Sequence, residues 1–209
     1  MIATVPTDEG QIPFSQELLR KGTHMGALCI PAGYHFLSLD KATALYIMIP
    51  VTLLMIAIDV ARLRNRGFWR NIAGPLAGRM VRGHEVAGDF TGATYILISF
   101  CLAIGMYEKY IAIAALSFII VGDTFAALIG RKFGRHRFGR KSVEGSLGCL
   151  LGTGIVALLA PHLALAVGLS GAVVATVTEA LSTKIDDNIS VPIISGLAMT
   201  LLTAILGQV

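Results

Sequence analysis

The stretch AALSFIIVGDTFAALIGRKFG, residues 114–134, decides the fold. It carries a single carboxylate, Asp123, in an apolar run that ends in a basic loop opening at Arg131. At 1.5 Å of rise per residue, the step of about eight residues from one to the other puts Asp123 roughly 12 Å below the helix end. A carboxylate at the centre of a membrane span costs roughly 2.5–3.5 kcal/mol on insertion scales, so such a residue faces a bundle interior or an aqueous cavity and serves a function. Steps of four and three from Asp123 reach Ala127, Gly130 and Gly134, a stripe of small residues on the carboxylate's own face, where a neighbouring helix or a ligand fits.

The composition around this stretch excludes a soluble domain. Of 209 residues, 55% are hydrophobic and 14% charged, with a mean hydropathy of +0.73, against roughly 25% charged residues in globular proteins. Apolar stretches of spanning length fall at 22–39, 42–61, 91–107, 110–130, 145–160, 162–181 and 190–207. The fold class expected is an all-α integral membrane bundle of about seven transmembrane helices. An N-terminus on the inside puts fifteen of the seventeen Lys and Arg on one face: Arg20, Lys21, six Arg from Arg62 to Arg82, six basic residues from Arg131 to Lys141, and Lys184. Lys41 and Lys109 remain opposite, so the crowded face is expected to be cytoplasmic.

On this reading the chain is one domain over 1–209, with a cytoplasmic N-terminal segment at 1–21 and cytoplasmic basic loops at 62–90 and 131–143. No basic n-region leads into an apolar run with an A-x-A site, so no cleaved signal peptide is expected, and the small size points to a prokaryotic plasma membrane. The net charge of +4 sits in short loops rather than on one exposed surface, which argues against nucleic acid as a partner. Cys29, Cys101 and Cys149 stand apart in apolar stretches without metal-ligand spacing and read as packing residues.

Two further acids repeat the arrangement at Asp123. Glu144 opens the fifth span above Gly148 and Gly152, and Glu179 closes the sixth above Ala175, Ala172 and Gly168. Three carboxylates are therefore expected to converge near the cytoplasmic surface. Asp186, Asp187 and Asn188, ahead of Pro192, supply hard oxygen ligands in a turn and suit Mg²⁺ shared with phosphate oxygens. At the first span, Arg20 and His24 stand four apart on one helical face beside Lys21. Asp59 lies one turn before Arg62 and is expected only to pair with it. Residues 134–142 read G-x-x-x-x-G-R-K-S, one residue longer than a P-loop and preceded by a helix instead of a strand, so they are not a P-loop. What this loop offers is close backbone approach at its glycines and enough Arg and Lys to neutralise a polyphosphate.

The residues GDTFAALIGRKFGRHRFGRKSVEGSLG, Gly122 to Gly148, resemble the signature of the integral-membrane lipid kinases that include dolichol kinase, phytol kinase and the CTP-dependent diacylglycerol kinase. RKGTHMG, Arg20 to Gly26, is similar to that family's N-terminal R-K-x-x-H element, and EALSTKIDDNISVP, Glu179 to Pro192, to its late E-A and D-N-x-x-x-P element. The resemblance implies CTP as phosphate donor, Mg²⁺ as cofactor, and a membrane lipid hydroxyl as acceptor. K-S-V-E-G-S, with Glu144, is similar to the dolichol kinase form, where phytol and diacylglycerol kinases more often have Ala in place of that Glu, and points to a polyprenol-type alcohol, with a phytol-type alcohol kept beside it. The many additional N-terminal spans of larger dolichol kinases are absent.

Carried onto these residues, the resemblance implies Asp123, Glu179, Asp187 and Asn188 around Mg²⁺. It implies Arg20, Lys21, Gly130, Arg131, Gly134, Arg135, Lys141, Ser142 and Gly145 around the nucleotide phosphates. Asp123, Glu144 or His24 would take the proton from the lipid hydroxyl. Three other readings are carried beside it: a diacylglycerol kinase making phosphatidate, a CDP-lipid synthase, and a small transporter. The synthase's usual C-terminal H-G-G-x-x-D-R-x-D run is missing, and no inverted repeat supports a transporter.

Overall fold

The computed structural model describes residues 14–65, 89–139, 141–182 and 186–207. Residues 1–13, most of the 62–90 loop, Arg140 and Lys184 lie outside the described residues. The described chain is helical: α1 (Phe14–Gly26), α2 (Cys29–Phe36), α3 (Lys41–Arg64), α4 (Gly92–Met106), α5 (Lys109–Phe133), α6 (Val143–Leu159), α7 (Leu165–Leu181) and α8 (Asp187–Ile205). Between α5 and α6 a small antiparallel hairpin pairs β1 (Arg137–Phe138) with β2 (Lys141–Ser142). The 131–143 loop is thus partly structured, since α5 already takes in Arg131 and Lys132.

Among the described residues three helices, α3, α5 and α8, are long and apolar enough to cross a membrane. The other apolar helices are shorter. With 15 residues in α4 and 17 each in α6 and α7, they reach about 22–26 Å against a hydrocarbon core of roughly 30 Å.

The stretch at 22–39 is not one continuous helix. Pro31 has no N–H to bond the Ala27 carbonyl, which accepts instead from Ile30 three residues on, at 3.1 Å. The chain loosens at Ala27–Leu28, and α1 and α2 form a broken pair.

Helix α5 is the centre. Of its apolar window 72% is buried, against 22% for α3 and 33% for α8. Phe118, Leu116, Ile119 and Ile120 of α5 pack with Phe100 of α4 and Met199 of α8 in the core. The seam between α5 and α6 is built on missing side chains: Gly122 faces Cys149 and Thr153, Gly148 faces Ile129, and Gly152 faces Phe125. The small-residue stripes read in the sequence serve close helix contact here.

Polar contacts mark the two ends of the bundle. At one end, Lys41 donates to the Gly105 carbonyl at 3.3 Å and Lys109 to the Leu39 carbonyl at 2.8 Å. At the other, the buried Asp59 accepts from Arg62 Nε at 2.9 Å, as expected, and also from Thr91 N at 2.8 Å and Thr94 Oγ1 at 2.6 Å. Asp59 is therefore a structural joint between α3 and α4.

A Cβ at position 148 would lie 2.9 Å from Ile129 Cβ and 2.9 Å from the Phe125 carbonyl oxygen. Gly148→Ala is expected to destabilise the protein by about 1–3 kcal/mol through overpacking, read as a lower thermal unfolding midpoint in detergent.

Candidate functional site

Asp123 sits just past the middle of α5 with its side chain largely enclosed. Lys21 reaches it from α1, its Nζ donating to Asp123 Oδ2. The Lys21 side chain is 1% exposed. One turn along α1, His24 Nε2 lies 3.5 Å from the same oxygen. The face of α1 turned to the carboxylate is therefore Lys21 with His24, three apart, whereas the sequence suggested Arg20 with His24. Arg20 is half-buried nearby, and its charge acts on Asp123.

A second group forms beside the first. The hairpin turns at Gly139, whose φ of +61° favours glycine, and β2 then delivers Lys141. Lys141 Nζ donates to Glu179 Oε1 in the last turn of α7 and to Asp187 Oδ2 in the first turn of α8 at 3.3 Å. Burial pulls the Lys141 ammonium down, but the charges of Asp187 and Glu179 outweigh it and hold the group above the usual lysine range. Asn188, 4% exposed, donates its Nδ2 to Asp186 Oδ1 at 2.6 Å. Its Oδ1 is buried with no hydrogen-bond partner among the described residues. The charge of Asp123 acts on Lys141 and that of Asp187 on Lys21. The two groups thus lie within electrostatic reach of each other, one polar cluster, or chamber, whose residues come from α1, α5, β2, α7 and α8.

Glu144 belongs elsewhere. Its carboxylate accepts from His136 Nδ1 at 2.7 Å, and the His136 side chain is 79% exposed. Glu144 lines an apolar groove of about 300 Å³ with Ile129, Phe133, Leu147, Gly148 and Leu151. The expected convergence of three carboxylates is therefore corrected to Asp123 with Glu179. Glu144 projects to the groove side of α6 because the tight glycine seam at Gly145 and Gly148 occupies the side facing α5. His136, its partner, was not singled out in the sequence, where it is one polar residue among many in a basic loop.

The loop glycines expected around phosphates are used in packing. A Cβ on Gly130 would lie 3.1 Å from Ser142 Oγ and 3.3 Å from Gly145 Cα. Gly134 is tight against Ser142 and its own preceding turn. Ser142 caps α6, its Oγ accepting from Gly145 N at 3.0 Å. Arg131 ends α5 half-buried and Arg135 is exposed on the loop.

Among the described residues, no three His, Cys, Asp or Glu side chains are gathered as a ready metal sphere. The reason is visible: Lys21 and Lys141 stand between the acids. Mg²⁺ in phosphate chemistry takes one or two protein carboxylates and fills its octahedron with water and phosphate oxygens. Asp123, Asp187 and the unpartnered Asn188 Oδ1 fit that requirement as hard oxygen donors.

No protein-family model matches the chain, and no solved structure matches it. The chain is similar to a Rickettsia prowazekii (strain Madrid E) protein described as "Uncharacterized protein RP860". The two are 27% identical over 203 residues, covering 92% of this chain and 98% of that one. The likeness extends along nearly the whole of both chains and carries no activity with it.

Because the Lys141 pairing raises the folded value above the unfolded one, its stabilisation is fully present below the ordinary lysine value of 10.5. It is lost as pH rises through the folded value. The gap in thermal unfolding midpoint between wild type and Lys141→Met is expected to stay constant from neutral pH to that point and to shrink above it.

Proposed function

We propose that the chain is a CTP-dependent lipid kinase that moves the γ-phosphoryl group of CTP onto the hydroxyl of a membrane isoprenoid alcohol and releases CDP. One observation carries the reading. Lys21, Asp123, Lys141, Glu179, Asp187 and Asn188 come from three stretches far apart in the sequence, each resembling a lipid-kinase element, and they share one polar chamber at one end of the bundle.

In this reading the chain crosses the membrane seven times, with the α1–α2 pair as the first crossing and the shorter helices α4, α6 and α7 among the rest. The chamber faces the cytoplasm, on the side that holds most of the Lys and Arg. This places it next to soluble nucleotide and at the depth where a lipid hydroxyl lies, in the plasma membrane of a prokaryote.

Phosphoryl transfer asks the protein mainly for positioning and charge neutralisation. Lys21 exchanges Asp123, and Lys141 exchanges Asp187, for phosphate oxygens, with Arg20, Arg131 and Arg135 adding positive charge. Asp123, Asp187 and Asn188 would hold Mg²⁺, which supplies charge neutralisation on the triphosphate. Glu179 keeps Lys141 in place. Asp123 and His24 share the chamber and are available to the acceptor hydroxyl, while Glu144 lies outside it.

The test is a transfer assay on purified protein with γ-labelled CTP or ATP, Mg²⁺, and polyprenol, dolichol, phytol or diacylglycerol as acceptors. Label is expected to pass from CTP to an isoprenoid alcohol. Label in diacylglycerol alone would instead identify a phosphatidate-forming kinase, and pyrophosphate from CTP and phosphatidate a CDP-lipid synthase. Asp123→Asn is expected to lower turnover by about a hundredfold or more. Glu144→Gln is expected to stay within about an order of magnitude of wild type; equal losses in the two variants would contradict the separation of Glu144 from the chamber.

A further inference from the structure

Helix α1 is turned inside out. Lys21 is 1% exposed and the His24 side chain 8%, while Leu18 and Leu19 are 52% and 55% exposed. Among the described residues of α1, Met25 alone packs against the hydrophobic core. Gly22 and Gly26 meet nothing within 4 Å of where a Cβ would stand, so neither serves a close approach. Each weakens the helix relative to alanine. At its C-terminal end α1 joins α2 through the loosened turn at Ala27–Leu28. Among the described side chains of α1, the polar contact of Lys21, with His24, on Asp123 is thus a principal tie to α5.

The Lys21 ammonium also occupies the place a cation would take on Asp123. A divalent ion entering alone would crowd its two charges and that of Lys21 onto one buried carboxylate, and expelling Lys21 would leave a buried ammonium unpaired. A polyphosphate removes the conflict, because its anionic oxygens take the ammonium while the carboxylate takes the metal.

We propose that Lys21 is a resident counter-cation for Asp123 and α1 a displaceable cover, so that the chamber refuses a divalent ion until a polyphosphate draws Lys21 away. This inference rests on the kinase reading only for the identity of the polyphosphate. It makes the nucleotide the key to the metal site, and it keeps Asp123 neutralised inside the membrane while no substrate is bound.

Mn²⁺ binding followed by electron paramagnetic resonance tests it without any turnover. Wild type is expected to leave Mn²⁺ free when no anion is present. Lys21→Met is expected to bind Mn²⁺ about tenfold or more tightly than wild type, since the competing state is removed, and Lys21→Met/Asp123→Asn to lose that binding. Tight Mn²⁺ binding by wild type alone, or no gain in a folded Lys21→Met protein, overturns the proposal. A measurement on wild type stands independently of the variant's folding: amide exchange across α1 is expected to change when Mn²⁺ is added with inorganic tripolyphosphate and to stay unchanged with Mn²⁺ alone. Identical exchange in both conditions overturns the proposal. A response to tripolyphosphate with none to CTP would retain the cover and discard CTP as the donor.

Discussion

The close approach of α5 and α6 is the constraint from which the site follows. Where Gly122, Gly148 and Gly152 meet side chains of the opposite helix, nothing larger than hydrogen fits without a shift. That contact fixes the rotation of α5 about its axis, and with it the direction in which Asp123 points. It also fixes the start of α6, so that the hairpin is short and Lys141 falls beside Glu179. Moving the two helices apart by the width of a methyl group would disturb both lysine pairs.

Charge balance is the second constraint. Asp59 and Glu179 are buried and Asp123 is largely so, and each has a basic partner: Arg62, Lys141 and Lys21. The first of these pairs is completed by threonines and joins two helices. The other two leave unused capacity, a buried Asn188 oxygen and a His24 nitrogen without a hydrogen bond. Full satisfaction suits a structural joint; incomplete satisfaction suits a chamber that receives something.

Much of this was legible in the sequence. The place of Asp123 inside a long apolar helix follows from the run around it, and six of the seven apolar stretches agree with a helix to within three residues at each end. The pairing of Asp59 with Arg62 follows from helical spacing. Less legible was the side of a helix a charge would take. Glu144 and Glu179 head or close similar small-residue stripes, yet Glu179 joins Lys141 while Glu144 turns to His136, because the direction depends on which neighbour fills each glycine face. The switch from Arg20 to Lys21 is a rotation of about one residue on α1, which periodicity cannot fix when apolar residues point outward. The break at Ala27–Leu28 follows from Pro31, whose missing N–H acts one turn earlier.

The spacing of the ion pairs along the chain also orders the events of folding. Asp59 meets Arg62 three residues later and Thr94 within 35, so the joint between α3 and α4 can close as soon as both are synthesised. Lys21 precedes its carboxylate by 102 positions. Throughout the synthesis of α3 and α4 the carboxylate that receives its ammonium does not yet exist. The early helices can therefore pair first, and α1 takes its seat on Asp123 only after α5 has been made.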